Sequence, residues 1–127
     1  MKPITSKAHT IIGLVVGVAL LLAPMLFGFA EHGGASVAVP MYVGIFILLS
    51  ELTTTSPIRP IKIIPMRTHI IIDVLTGLFL LLSPWLFGFA DLPVNAWLPH
   101  VVVGILTAGY ALMTRTSDAE PTVGSSI

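Results

Sequence analysis

Residues 20–30 and 80–90 spell the same segment twice, Leu-Leu-Leu-x-Pro-x-Leu-Phe-Gly-Phe-Ala, with nine of eleven positions identical at an offset of 60. Self-similarity at a fixed spacing makes the chain two copies of one unit. The register holds beyond the segment, since Gly44, Ile45 and Leu52 recur as Gly104, Ile105 and Leu112. Each copy lies inside an almost uncharged apolar run long enough to cross a bilayer. A helix of about 20 residues rising 1.5 Å per residue covers a hydrocarbon core of about 30 Å.

Composition narrows the class further. Only 9% of the residues are charged, against about a quarter in ordinary soluble domains, and the mean hydropathy is +1.00. A soluble fold of 127 residues could not hide that much apolar surface. The formal net charge is zero, which gives no electrostatic footprint for nucleic acid. The absence of cysteine removes disulfides, thiolate metal sites and dithiol redox chemistry.

Taken in order, the chain predicts a polar segment over 1–8 and a first helix from His9 to about Ala30. Gly33 and Gly34 supply a turn over 31–36, and a second helix runs from Val37 to about Thr54 with Pro40 in its first turn. A basic, proline-rich loop over 56–68 carries Pro57, Pro60, Pro65, Arg59 and Lys62. A third helix runs from His69 to about Ala90, a second turn from Asp91 to Asn95, and a fourth helix from Trp97 to about Thr114. Residues 115–127 turn to Ser, Thr, Asp, Glu, Pro and Gly and predict a disordered tail. A cleaved signal peptide competes for the first run, but that run exceeds about 15 residues and its twin is internal. The units are therefore 9–55 and 69–114: an all-α integral membrane four-helix bundle of two parallel tandem helical-hairpin repeats.

Charge sets the expected orientation. Lys2, Lys7, Arg59, Lys62, Arg67 and Arg115 all fall before helix one, between helices two and three, or after helix four, while the other turns carry Glu31, His32 and Asp91. The positive-inside rule then puts both termini and the central loop in the cytoplasm, and the protein in the cytoplasmic membrane. An even number of crossings per unit relates the copies by a pseudo-two-fold axis along the membrane normal.

Ser83, Pro84 and Trp85 within the third helix, extended through Phe87, Gly88 and Phe89, resemble the signature of the SPW-repeat integral membrane proteins over residues 7–115. The resemblance implies two transmembrane helices per repeat with the motif on the first, and it brings no defined activity. The first copy departs from it, with Ala23, Pro24 and Met25.

Physically, Pro84 lies about 22 Å up its helix from His69, in the outer third of the bilayer. Proline frees the carbonyl four residues back, Leu80 here and Leu20 in the first copy, and hydrocarbon offers no replacement donor. The Ser83 hydroxyl is placed to bond Leu80 or Phe79, and Ala23 cannot. Trp85 is either an interfacial anchor or a filler between the two units, with Met25 as its smaller counterpart. Gly28 and Gly88 admit a neighbouring backbone or loosen a helix end. Gly13 with Gly17, Gly77, and Gly104 with Ala108 form small-residue packing faces.

Ionisable groups in membrane segments are functional candidates by default. Asp73 lies one turn after His69, and these two with Glu51 and a loop arginine such as Arg67 form a candidate polar cluster at the cytoplasmic end. The competing reading has both carboxylates reaching water or pairing with Arg67 near the interface. His9 matches His69 across the repeat; two histidines apart from each other, with no cysteine, are too few for a metal site. His100 is expected at the outer interface. No His-Glu-x-x-His, Gly-x-Ser-x-Gly, P-loop or dinucleotide fingerprint is present, so neither a cofactor nor an enzymatic role is expected.

The expected function is a structural or interaction module of the membrane with the lipid bilayer as its first partner, a homo-oligomer or membrane-protein partner left open, and no nucleic acid. The alternative is a small oligomeric transporter or ion-conducting subunit that uses the acidic and histidine cluster.

Overall fold

The computed structural model describes residues 3–54 and 64–114. They form four helices, α1 (Ser6–Leu26), α2 (Gly34–Thr53), α3 (Met66–Leu86) and α4 (Val94–Leu112), with one 3-10 turn at Ala30–His32. All four are long and apolar enough to cross a membrane, and the chain is an all-α, multi-pass bundle of two helical hairpins. Lys2, Arg59, Lys62 and Arg115, with the proposed tail, lie outside the described residues.

The hairpins close at paired glycines. A Cβ on Gly44 would meet the Gly17 carbonyl oxygen at 2.7 Å and the Leu21 nitrogen at 2.8 Å. At the positions 60 residues later, a Cβ on Gly104 would meet the Gly77 oxygen at 2.6 Å and the Leu81 nitrogen at 2.5 Å. Lipid supplies no hydrophobic drive between helices, so this backbone approach is where α1 grips α2 and α3 grips α4. Between the hairpins, Leu20, Val39, Val43, Ile47, Leu80 and Phe89 form a buried apolar core.

One end of the bundle brings together the described residues that flank the helices, Ile4, Thr54, Ile64 and Thr114. There the Ile4 amide donates to the Met113 carbonyl at 3.1 Å, and the Ile64 amide donates to the Thr53 carbonyl at 2.7 Å. A shift of 60 residues carries Ile4 onto Ile64, and the bridges Ile4 to Thr114 and Thr54 to Ile64 exchange under it. The strand-like residue before each hairpin thus satisfies a carbonyl left over at the last turn of the other hairpin, which closes the pseudo-two-fold arrangement.

At the opposite end α1 and α3 stop at Leu26 and Leu86, four residues short of the expected Ala30 and Ala90. The repeated Pro-x-Leu-Phe-Gly-Phe is the reason. Gly28 and Gly88 take φ of 72° and 74°, and the Phe29 and Phe89 amides reach back to the Pro24 and Pro84 carbonyls at 2.9 and 2.8 Å. That is a Schellman C-cap, with glycine in the left-handed position after the cap residue. Nothing approaches a Cβ at Gly88 within 4 Å, and only Asn95 comes to 3.9 Å at Gly28. The two glycines therefore serve a chain reversal and admit no neighbouring helix.

α2 begins at Gly34, three residues earlier than expected, so Pro40 stands beyond the first turn and leaves the Ser36 carbonyl without its intrahelical donor. His100, the counterpart of Pro40 in the other repeat, is 1% exposed and donates from Nε2 to that carbonyl at 3.1 Å. It is a buried inter-repeat bond and not an interfacial side chain; Phe89 and Phe29 flank its ring at centroid distances of 4.7 and 5.8 Å.

Candidate functional site

At the end where Ile4, Thr54, Ile64 and Thr114 meet, three helices aim four side chains at one point. His9 sits on the first turn of α1, His69 on the first turn of α3, Asp73 one turn further along α3, and Glu51 near the last turn of α2. All four are buried, at 0%, 0%, 1% and 0% exposure. The buried stripe of α3 runs through Met66, His69, Ile70, Asp73, Gly77, Leu80 and Ser83. Its spacing of three and four residues carries His69 and Asp73 inward together.

The polar atoms converge tightly. His9 Nε2 lies 2.7 Å from Asp73 Oδ2 and 3.6 Å from Glu51 Oε1. His69 Nε2 lies 2.7 Å from Glu51 Oε1 and 3.0 Å from Asp73 Oδ2. The two Nε2 atoms are 3.2 Å apart, and the four ligand-type atoms all lie within 4.8 Å of one another.

The far side of each ring is held by a threonine from the other repeat. The Thr114 hydroxyl donates to the Tyr110 carbonyl at 2.6 Å, so its oxygen accepts from His9 Nδ1–H at 2.8 Å. Likewise the Thr54 hydroxyl donates to the Ser50 carbonyl at 2.6 Å and accepts from His69 Nδ1–H at 2.6 Å, with Ser50 Oγ also 2.9 Å away. A hydroxyl has one proton to give. With that proton spent on a carbonyl, each imidazole must carry hydrogen on Nδ1, and in the neutral ring the Nε2 lone pair faces the centre. The Tyr110 ring stands edge-on to His9 at 4.8 Å.

The two acids arrive from non-equivalent positions. Glu51 occupies the place of Ala111, and Asp73 the place of Gly13. A Cβ on Gly13 would come within 2.6 Å of the Glu51 Cδ, so the first repeat has a glycine where the second has its acid. Ala111, fully buried, is the small residue that the second repeat has where the first has its acid. The same space is thus filled once by a longer acid on the second helix of a hairpin, and once by a shorter acid on the first.

Of the residues anticipated from sequence, Glu51, His69 and Asp73 come together, while Arg67 stands exposed on the first turn of α3. Arg67 stands two positions before His69, with Thr68 between them, and residues two apart do not share a helix face. The reading in which the carboxylates reach water or pair with Arg67 is corrected by their burial and by their imidazole partners. The premise that the histidines lie apart is corrected as well, since their rings touch. His9, Thr54 and Thr114 complete the site without having been joined to it from sequence. Their signal was the offset itself: His9/His69 and Thr54/Thr114 are polar pairs repeated at 60 residues in a chain that is otherwise apolar.

The motif residues stand at the opposite end. The Ser83 hydroxyl, fully buried, donates to the Leu80 carbonyl at 2.7 Å, the carbonyl that Pro84 deprives of its donor. Trp85 is 59% and Met25 68% exposed. Neither fills a gap between the repeats, and the Trp85 ring lies outward beside Trp97 at a centroid distance of 6.4 Å. Pro24 and Pro84 contribute the carbonyls of the two C-caps.

A family model described as the SPW repeat domain matches residues 7–114. The chain belongs to the SPW repeat family. No curated protein and no solved structure matches it. In this family member the Ser-Pro-Trp segment lies on the first helix of the second hairpin, and the buried polar centre lies at the opposite end of the same helix.

Proposed function

We propose that this SPW-repeat protein is a structural or interaction module of the cytoplasmic membrane, with its two repeats joined around a buried centre of two carboxylates and two imidazoles whose charges compensate. The observation that carries it is the convergence of His9, Glu51, His69 and Asp73, two from each repeat, at full burial. Two carboxylates in such a place need positive charge beside them, because an uncompensated buried charge costs several kcal/mol. Protons on the imidazoles or a bound metal ion would each supply it. No catalytic step is assigned to the centre.

The basic residues support a cytoplasmic position for this end of the bundle. In that orientation the centre lies about 5–10 Å from the helix starts, beneath the inner headgroups. The oligomeric transporter reading draws on the same acids. The close-packed apolar core of Leu20, Val39, Val43, Ile47, Leu80 and Phe89 weighs against a path through one bundle.

Stability in mild detergent tests the joint. Replacing either histidine, His9→Gln or His69→Gln, is expected to cost about 3–5 kcal/mol, as when one partner of a buried ion pair is removed. Combining His69→Gln with Asp73→Asn should recover part of that loss, because the orphaned charge goes with its partner. Penalties of only a few tenths of a kcal/mol, of the kind found at surface sites, with no recovery in the double variant, would refute the reading.

A further inference from the structure

From this geometry, and resting on the joint just described, we infer that the cation is a divalent transition metal of the zinc class, held by His9, Glu51, His69 and Asp73 as a clasp between the repeats. Zinc prefers four ligands at about 2.0–2.1 Å, which leaves about 3.3–3.4 Å between neighbouring ligand atoms in a tetrahedron. Five of the six ligand separations here are 2.7, 2.7, 3.0, 3.2 and 3.6 Å. Four fall short of the tetrahedral edge and one exceeds it, and all six lie within 4.8 Å, so side-chain adjustments of under about one ångström would seat the ion.

Three further features point the same way. The donor set, two imidazoles and two carboxylates, suits zinc, and two carboxylates balance a divalent charge with no net charge left in the apolar interior. Each ring is oriented by a hydrogen bond at its remote nitrogen, Nδ1–H to Thr114 Oγ1 or Thr54 Oγ1, the arrangement that exposes Nε2 to a metal and fixes the ring. Two Nε2 atoms 3.2 Å apart suit neutral rings sharing one ion better than two imidazoliums in contact, whose charges repel. Because each repeat supplies two ligands and each threonine comes from the opposite repeat to its histidine, metal binding and inter-repeat packing are one event.

The test uses the full chain purified in mild detergent from cells grown with zinc in the medium. Elemental analysis should find about one zinc per chain, and chelation should lower the thermal midpoint, with added Zn²⁺ restoring it. Substitution by Co²⁺ should give the intense visible bands of a tetrahedral nitrogen and oxygen site. Thr54→Val and Thr114→Val, which leave all four ligands in place, should weaken Zn²⁺ binding about 10- to 100-fold. His9→Gln should abolish the cobalt spectrum.

Absence of both zinc and a cobalt spectrum, in a protein whose histidine variants still lose stability, would overturn the metal assignment and leave protonated imidazoles as the joint. Histidine variants as stable as wild type, with no metal bound, would overturn the joint itself. Octahedral cobalt bands unaffected by His9→Gln would place the metal elsewhere and also refute the clasp.

Discussion

Pro40 removes the N–H that would otherwise bond the Ser36 carbonyl, and the residue 60 positions later, His100, reaches across the bundle to replace it. A freed carbonyl in hydrocarbon has no water to turn to, so this pair should be energetically coupled. His100→Leu is expected to cost about 0.6–2 kcal/mol, the range of interhelical hydrogen bonds in membrane proteins. In a Pro40→Ala background, where the helix regains its own donor, the same replacement should cost less. A double-mutant cycle by denaturant titration in detergent measures the difference, and equal penalties in both backgrounds would mean that His100 contributes through packing alone. The sequence showed Pro40 and His100 separately. It offered no means of pairing them, because the helix start at Gly34 moved Pro40 out of the harmless first turn. Ser83 and its Leu80 acceptor were legible, since a hydroxyl beside proline within one helix has few carbonyls in reach.

Helix ends and helix crossings here depend on glycine for two different physical reasons, and sequence separated them only in part. The crossings were anticipated from small residues spaced along helix faces, and Gly17, Gly77 and Gly104 prove to be where backbones meet, with Gly44 as a fourth that was not read as a packing residue, while Gly13 faces the Glu51 side chain instead. The ends were read too long, because Phe29 and Phe89 look like continuing apolar helix until glycine in the left-handed region turns the chain. Gly104→Val is therefore expected to force α3 and α4 apart and destabilise the bundle by about 1–3 kcal/mol or more, as overpacking does. Gly109, where nothing lies within 4 Å of an added Cβ, is the control. Gly109→Ala should be neutral or slightly stabilising, because alanine costs less conformational entropy in a helix. Thermal unfolding of the two variants side by side checks this, and a comparable loss at Gly109, where helix propensity favours alanine, would refute the assignment of the crossing to close backbone approach at Gly104.

At the scale of the whole molecule, the two hairpins present apolar side chains such as Val15, Leu75 and Ile105 outward and gather the buried histidines and carboxylates His9, Glu51, His69, Asp73 and His100 toward the two ends of the pseudo-two-fold axis. Leu20 and Leu80, at 1% and 0% exposure, close the space between those ends. Proteoliposomes containing the protein should accordingly show the same proton and potassium leak as empty vesicles, and Asp73→Asn should leave that leak unchanged. A leak that the protein creates and Asp73→Asn removes would instead favour the conducting alternative. The proposed orientation has its own test, since the chain has no native cysteine. A membrane-impermeant thiol reagent should label His32→Cys in intact cells and Thr68→Cys only after permeabilisation.

Duplication, membrane insertion, four crossings and family membership were all determined by the linear sequence. They depend on hydrophobicity and spacing, which are properties of the chain taken along its length. The meeting of His9, Glu51, His69 and Asp73, the exclusion of Arg67, and the bond from His100 to Ser36 were decided only by tertiary structure. Each is a contact between helices, and its existence depends on the rotation and height of one helix against another. On a helix that turns about 100° per residue, a displacement of one position separates a carboxylate that reaches water from one enclosed between two imidazoles.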